Sequence, residues 1–333
     1  MQKLFLVLFI FLFALLGGYL LRDTMGPLNK SLGVAPGQIT PQPLSIDTAA
    51  RVHPSENVSS QATLTIASFH ITDFDVNKST NVKVMDLLAR VIRNFDVVAI
   101  QGVQSRDNTF IPHFLSLVNG DGSQYEFELG PRVGRNTNKQ QFAIFFDSQT
   151  TEIDRQATYT VADPHDRILH EPLVALFRAR TSNSDNAFTF KLVNVYLDPV
   201  NASEELATLR DVYSVVLDDS DQEDDVVLLG NFSADTERLI DWGHASGIEP
   251  AVQHHSAGSV AAPYTDNLCL LKGATREFNG KTGVTDIVRL FNLTTEEAAI
   301  ISDHFPVWAE FSVFEGGRPN RFANRPSSRI PSD

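Results

Sequence analysis

Side chains able to transfer a proton or ligate a metal stand at the ends of several apolar runs in this chain. His70 closes Leu64-Thr-Ile-Ala-Ser-Phe69, Asp266 precedes Asn267-Leu-Cys-Leu-Leu271, and Asp303-His304 follows Ser302 shortly before Val307 to Val313. Carboxylate oxygens and imidazole nitrogens ligate divalent cations, and imidazole exchanges protons near neutral pH. Metal-assisted or acid–base hydrolysis is the chemistry such a set could do. The same residues also have a plain structural use, because an Asp can cap a turn and a His can hydrogen-bond buried groups at a strand start. Two other clusters look more striking than they are. His254-His255 are adjacent, point apart and have no further ligand at metal spacing, so they read as a solvated loop. The acidic run from Asp218 to Asp225 reads as a solvated helix-to-strand connection, with Ca²⁺ binding as the lesser alternative.

These residues need a frame that brings strand ends together. Apolar strands are expected at Leu64–Phe69, Asp96–Ile100, Phe142–Phe146, Leu173–Arg178, Phe188–Tyr196, Val226–Leu229, Leu268–Leu271 and Val307–Val313. Val84, Leu87, Leu88, Val91 and Ile92 repeat at helical spacing within Val82 to Asn94. A second helix is expected from about Ser203, as its cap, to Leu217. Two sheets packed face to face with helices outside would bury this pattern.

Composition bounds the possibilities. A chain of 333 residues with 42% hydrophobic residues can form one large domain. Its net charge of −14 argues against nucleic acid held over an extended surface, since that affinity comes largely from Lys and Arg. The one cysteine, Cys269, excludes an intramolecular disulfide and reads as a small buried hydrophobe. Leu4 to Leu21 carry no charge, and at ~1.5 Å per residue they reach about 27 Å. Residues 1–22 therefore read as an uncleaved signal anchor, with Lys3 inside and the domain extracytoplasmic. Residues 23–61, rich in Pro, Ser, Thr and Gln, read as a flexible linker. The domain spans 62–315, and 316–333 form a basic tail with Arg318, Arg321, Arg325 and Arg329.

Eight short segments then occur in an order that resembles the endonuclease/exonuclease/phosphatase family, which includes deoxyribonuclease I. They are Ile66-Ala-Ser-Phe-His70, Asp96-Val-Val-Ala-Ile-Gln-Gly-Val103, Lys139-Gln-Gln-Phe142, His170-Glu-Pro172, Val193-Asn-Val-Tyr-Leu-Asp-Pro199, Gly230-Asn-Phe-Ser233, Thr265-Asp-Asn-Leu268 and Ser302-Asp-His-Phe-Pro306. Gly130 to Arg135 and Asn279 to Asp286 resemble its bacterial branch. The resemblance implies a four-layered α/β sandwich of two packed mixed β-sheets flanked by helices, with the site where strand ends meet at one rim. It also implies metal-dependent phosphodiester hydrolysis with Mg²⁺ or Mn²⁺.

Most of the implied catalytic positions are replaced. Where the family has Asn, this chain has His70; the principal metal carboxylate is Gly102. The Glu that supports a catalytic His is Gln140, and that His is Tyr196. The family's Gly-Asp-Phe-Asn reads Asn231 and Ser233 at its Asp and Asn, and His170 replaces Arg beside Glu171. Asp266, Asn267, Asp303 and His304 survive, leaving Asp303, Asp266 and His70 as weak metal ligands. Loss of one general acid or base costs about 10²- to 10⁴-fold, and several have gone together. The expectation is a membrane-tethered pseudoenzyme serving as a binding module, with an unknown phosphodiester or protein partner. The alternatives are a divergent active phosphodiesterase or nuclease using His70, Asp266, Asp303 and His304 with Zn²⁺ or Mn²⁺, and a structural envelope protein.

Overall fold

Alternation of side chains along the strands builds the layers. In the strand Thr63–Phe74 (β1), Leu64 and Ile66 face one core while Ala67 and Phe69 face another. Val97 and Ala99 alternate in the same way with Val98 and Ile100 along Val97–Val103 (β2). Successive strand residues point to opposite faces, so a strand buried on both faces reads as one continuous apolar run. The computed structural model describes residues 62–219, 223–253, 265–271 and 273–317.

The remaining strands, in chain order, are Tyr125–Leu129 (β3), Val133–Arg135 (β4), Asn138–Asp147 (β5), Thr151–Thr160 (β6), Leu173–Ala179 (β7), Thr189–Tyr196 (β8), Val226–Asn231 (β9), Ile248–Pro250 (β10), Asp266–Leu271 (β11), Phe278–Val284 (β12) and Val307–Ser312 (β13). One sheet has the order β12-β13-β1-β2-β5-β3, with β4 paired to β5; the other runs β10-β11-β9-β8-β7-β6. The pairs β1–β2 and β8–β9 are parallel and the rest antiparallel, so both sheets are mixed.

Three cores separate four layers. Helices Val82–Ile92 and Phe110–Val118 cover the outer face of the first sheet through Leu88, Val91, Ile92 and Phe114. Phe142, Ile144, Phe190, Leu192, Val227, Leu229 and Phe311 fill the space between the sheets. The helix Ala202–Leu217 covers the outer face of the second sheet through Leu206, Leu209 and Val216. The fold is the expected four-layered sandwich of two mixed sheets flanked by helices.

Local differences have local causes. Asn201, not Ser203, occupies the cap position of Ala202–Leu217, and Ser203 instead accepts a hydrogen bond from Arg238 within the first turn. The strands Thr151–Thr160 and Phe278–Val284 escape the apolar pattern because they are half-exposed and polar. Cys269 is fully buried, as expected. The acidic run is not wholly solvated: Asp219 pairs with the buried Lys191, Glu223 accepts from Thr189, and Asp225 is interior beside Glu277. Gly316 and Gly317 belong to a short 3₁₀ turn, Glu315–Gly317, rather than to the tail. The anchor, the linker, residues 318–333 and His254-His255 lie outside the described residues. Among the described residues, no helix is long and apolar enough to cross a membrane.

Candidate active site at the strand-end rim

The alternation that fills the core also delivers the site. Ile66, Ser68 and His70 share the inter-sheet face of β1; Val97, Ala99 and Gln101 share that of β2. The corresponding sequences are Phe190, Leu192, Asn194 and Tyr196 on β8, and Val227, Leu229 and Asn231 on β9. Each begins apolar and turns polar at the same end. Register aligns those ends, pairing His70 with Gln101 and both Tyr196 and Asp266 with Asn231. The turn before β13 adds Ser302, Asp303 and His304 to this rim.

Aromatic rings pack its centre. The His70 imidazole stacks on Tyr196 with centroids 4.9 Å apart and meets His304 edge-on at 4.6 Å. His170, fully buried, meets Tyr196 edge-on at 5.3 Å. Burial, then the charge of His304, drives His70 down to about 4, against the pull of Asp266 and Asp303. His70 is therefore a neutral imidazole at neutral pH, and its buried Nδ1 makes no hydrogen bond.

His304 behaves oppositely. Its Nδ1 is paired with Asp266 Oδ2, and Asn231 Nδ2 lies 3.4 Å from the same nitrogen. Its Nε2 is 3.9 Å from Asp303 Oδ1. Burial opposes its charge, but Asp266 and then Asp303 outweigh burial and raise its pKa. The Asp303 carboxylate also loses solvation, yet a hydrogen bond from the Thr72 hydroxyl and the charge of His304 hold it below the usual carboxylate range.

The replaced positions are structurally committed. Gly102 lies in a bulge of β2 with φ +89°, and its N–H donates to Gln140 Oε1 at 2.9 Å. A Cβ at position 102 would fall 2.3 Å from the Ile71 carbonyl oxygen. Gln101 donates to Asn194 at 2.7 Å, and Asn194 donates to the Ile100 and Ala143 carbonyls, tying the two sheets together. Asn231 donates to Thr265 Oγ1 at 3.0 Å and accepts from the Ser233 N–H at 2.9 Å. Ser233 adopts φ +48° and donates to the Leu197 carbonyl at 2.7 Å. Asn267 pairs with both backbone groups of Val252 and is part of the frame rather than of the site.

The expected residues His70, Gly102, Gln140, Tyr196, Asn231, Ser233, Asp266, Asp303 and His304 thus meet at one rim, with Glu171 half-buried after His170. They do not fit a hard cation. Among the described residues, no three His, Asp or Glu side chains of the rim bring ligand atoms within 4.8 Å of one another; the groups that do lie elsewhere. Of the expected weak ligands, Asp266 is engaged by His304, Asp303 by Thr72, and His70 packs against the Tyr196 and His304 rings. Sequence reasoning missed Thr72, Thr265 and the Ser68–Gln101–Asn194 chain. Gln101 and Asn194 were visible as amides inside otherwise apolar strands, a pattern that requires buried partners.

The sequence and the fold match known proteins. Deoxyribonuclease-1-like 1 from Sus scrofa is 30% identical to this chain over 269 residues, covering 74% of this chain and 81% of that protein. The chain belongs to the endonuclease/exonuclease/phosphatase family, among deoxyribonuclease-I-like proteins. Deoxyribonuclease-1-like 1 from Homo sapiens is 29% identical over 265 residues, covering 74% and 84% of the two chains. No family model matches the sequence. An endonuclease/exonuclease/phosphatase family protein from Leptotrichia buccalis superposes with a TM-score of 0.52 at 13% identity, over 75% of this chain and 99% of that one. That likeness shows the shared fold. The family's reaction is metal-dependent, and the position where the resemblance expects a metal carboxylate holds Gly102 in this chain.

Proposed function

We propose that this chain is a membrane-tethered member of the family whose metal-dependent phosphodiester hydrolysis is lost or strongly impaired, leaving the rim as a binding module. The observation that carries this reading is Gly102. Its position is the one where the resemblance places the principal metal carboxylate, and the bulge leaves no room for a side chain there. Gln140 has been turned to the same structural task, since its carbonyl oxygen accepts the Gly102 N–H. The uncharged stretch Leu4 to Leu21 supports the tether.

What remains at the rim is a donor. Asp266 favours the charged form of His304, in which Nε2 is an N–H that can meet a phosphodiester oxygen, while Asp303 beside it limits affinity for an anion. The relatives are deoxyribonucleases by name, which makes DNA the first ligand to test. Titrating the full-length protein in detergent into a fluorescent DNA oligonucleotide, with chelator present, should give saturable binding. His304→Ala should weaken it about tenfold, the worth of one charged hydrogen bond. Absence of saturable binding to DNA or to a generic phosphodiester would sink the binding-module reading.

A second reading keeps an active divergent hydrolase. The unbonded Nδ1 of His70 favours it, because neutral imidazole suits Zn²⁺ or Mn²⁺. Zn²⁺-dependent turnover that disappears in His70→Asn would establish it.

A further inference from the structure

Exposed aliphatic side chains surround the rim. Among the described residues seven large hydrophobic side chains are exposed, and five of them stand on segments that leave or enter the rim: Val76, Val82, Val200, Leu290 and Ile300. Val76 belongs to the short helix Val76–Ser79 that follows β1, and Val82 opens the helix Val82–Ile92. Leu290 lies on Ile287–Phe291, which follows β12 where Val284 pairs with Val307, and Ile300 lies on Thr295–Ile301, which ends at Ser302. These four helices pack in sequence against one another, and Lys78 ties two of them by donating to the Ile300 carbonyl at 2.9 Å. Val200, 86% exposed, stands in the turn that follows Tyr196.

Single exposed aliphatics need no explanation, but a set gathered around one binding rim marks an interaction face. The chemistry of the rim narrows the partner. The donor atom His304 Nε2 lies 3.9 Å from Asp303 Oδ1, and the Asp303 side chain is 49% exposed. A simple anion would meet the donor and be repelled by the carboxylate beside it. A zwitterion whose phosphodiester and ammonium stand side by side satisfies both groups, and an ammonium that keeps its N–H groups can donate to Asp303 where a trimethylated one cannot. The net charge of −14 sets the domain as a whole against an anionic surface in the same way.

We propose that the rim docks on a bilayer and holds the headgroup of an ethanolamine phospholipid, with the phosphodiester on His304, the ammonium on Asp303 and the five aliphatic side chains at the boundary between headgroups and acyl chains. Apolar side chains at that depth let a domain lie on a membrane without crossing it. The headgroup is held and not cleaved. This inference rests on the reading of the chain as a membrane-tethered module that binds a phosphodiester, and it names that phosphodiester. The uncharged stretch Leu4 to Leu21 brings the partner within reach. At ~3.3 Å per residue, residues 23–61 extend to about 130 Å at most, whereas β1, which starts at the end opposite the rim, is about 40 Å long.

The test uses the full-length protein, reconstituted through its N-terminal segment into phosphatidylcholine nanodiscs with and without phosphatidylethanolamine. A fluorophore is attached at Val200→Cys or, on the last turn of Ala202–Leu217, at Val215→Cys; the native Cys269 is fully buried and escapes the label. A quencher carried on lipid headgroups should quench the Val200 position several times more strongly than the Val215 position, and phosphatidylethanolamine should widen the contrast. Val82→Asp, at a position 80% exposed, should narrow it. In detergent, the wild type should bind glycerophosphoethanolamine about tenfold more tightly than glycerophosphoglycerol, which lacks the ammonium. Asp303→Asn should abolish that preference, and Val82→Asp should leave it unchanged. Equal quenching at the two positions in every disc, or equal affinity of the wild type for the two soluble probes, would overturn the proposal whatever the variants do. Equal quenching together with saturable binding of DNA would overturn it and leave the phosphodiester-binding reading standing; no binding of either soluble probe or of DNA would sink both.

Discussion

The Gly102 α-carbon faces the Ile71 carbonyl so closely that a Cβ would stand 2.3 Å from its oxygen. The neighbouring strands pass one another there through a bulge, with register breaks after His70 in β1 and after Ile100 in β2. Gly102 therefore holds a backbone with no room for a side chain, at a left-handed φ of +89° that glycine adopts freely.

Gly102→Glu, the change that sequence comparison alone recommends for rebuilding a metal carboxylate, should accordingly destabilise the domain by roughly 3 kcal/mol or more. Ser233→Asn should be nearly neutral, within about 1 kcal/mol, because Asn tolerates the positive φ that Ser233 already holds. Urea unfolding of the two variants compares them directly. A Gly102→Glu protein as stable as wild type would show that the bulge yields.

The His304–Asp266 pair is the rim's main electrostatic bond, with side chains 12% and 8% exposed. Removing one partner strands the other in a poorly solvated place. His304→Ala should cost about 3 kcal/mol, and adding Asp266→Asn should return part of that loss. Strictly additive losses in the double-mutant cycle would contradict the pairing.

Stability should fall in acid partly through His70. Its ordinary value of 6.5 drops to about 4 on folding, so the unfolded chain takes up a proton that the folded chain refuses. The contribution is intact above pH 6.5 and is lost as pH falls from 6.5 through about 4, to a total of about 3 kcal/mol. His304 runs the other way: its raised pKa supports folding below 6.5, and that support fades as pH rises through the folded value. Comparing wild type with His70→Asn across pH 4 to 7 isolates the first effect. Equal acid slopes would refute it.

Much of this was legible in the sequence. Apolar runs such as Asp96 to Ile100 and Val226 to Leu229 marked strands buried on both faces, and the polar residues beyond them, Gln101 and Asn231, proved to lie at the rim. Half-exposed strands such as Thr151–Thr160 left no apolar signal, because only one face meets the core. Residue types at the site were readable, but their partners were not. Nothing in the sequence says that Thr72 would engage Asp303, that His70 would lie between Tyr196 and His304, or that Asp225 would meet Glu277 fifty-two positions later. Those relationships come from strand register and crossover connections, which residue spacing does not encode.

The central claim is that this rim no longer performs the family's hydrolysis, and turnover tests it most directly. Full-length protein in detergent should be assayed on DNA and on a generic phosphodiester with Mg²⁺, Mn²⁺ and Zn²⁺ in turn, beside an intact deoxyribonuclease-I-like relative. The rates should match those in chelator, at least 10⁴-fold below the relative, as roughly expected when the metal carboxylate and the acid–base pair are lost together. Chelator-sensitive turnover within tenfold of the relative, abolished by Asp303→Ala, would contradict the account.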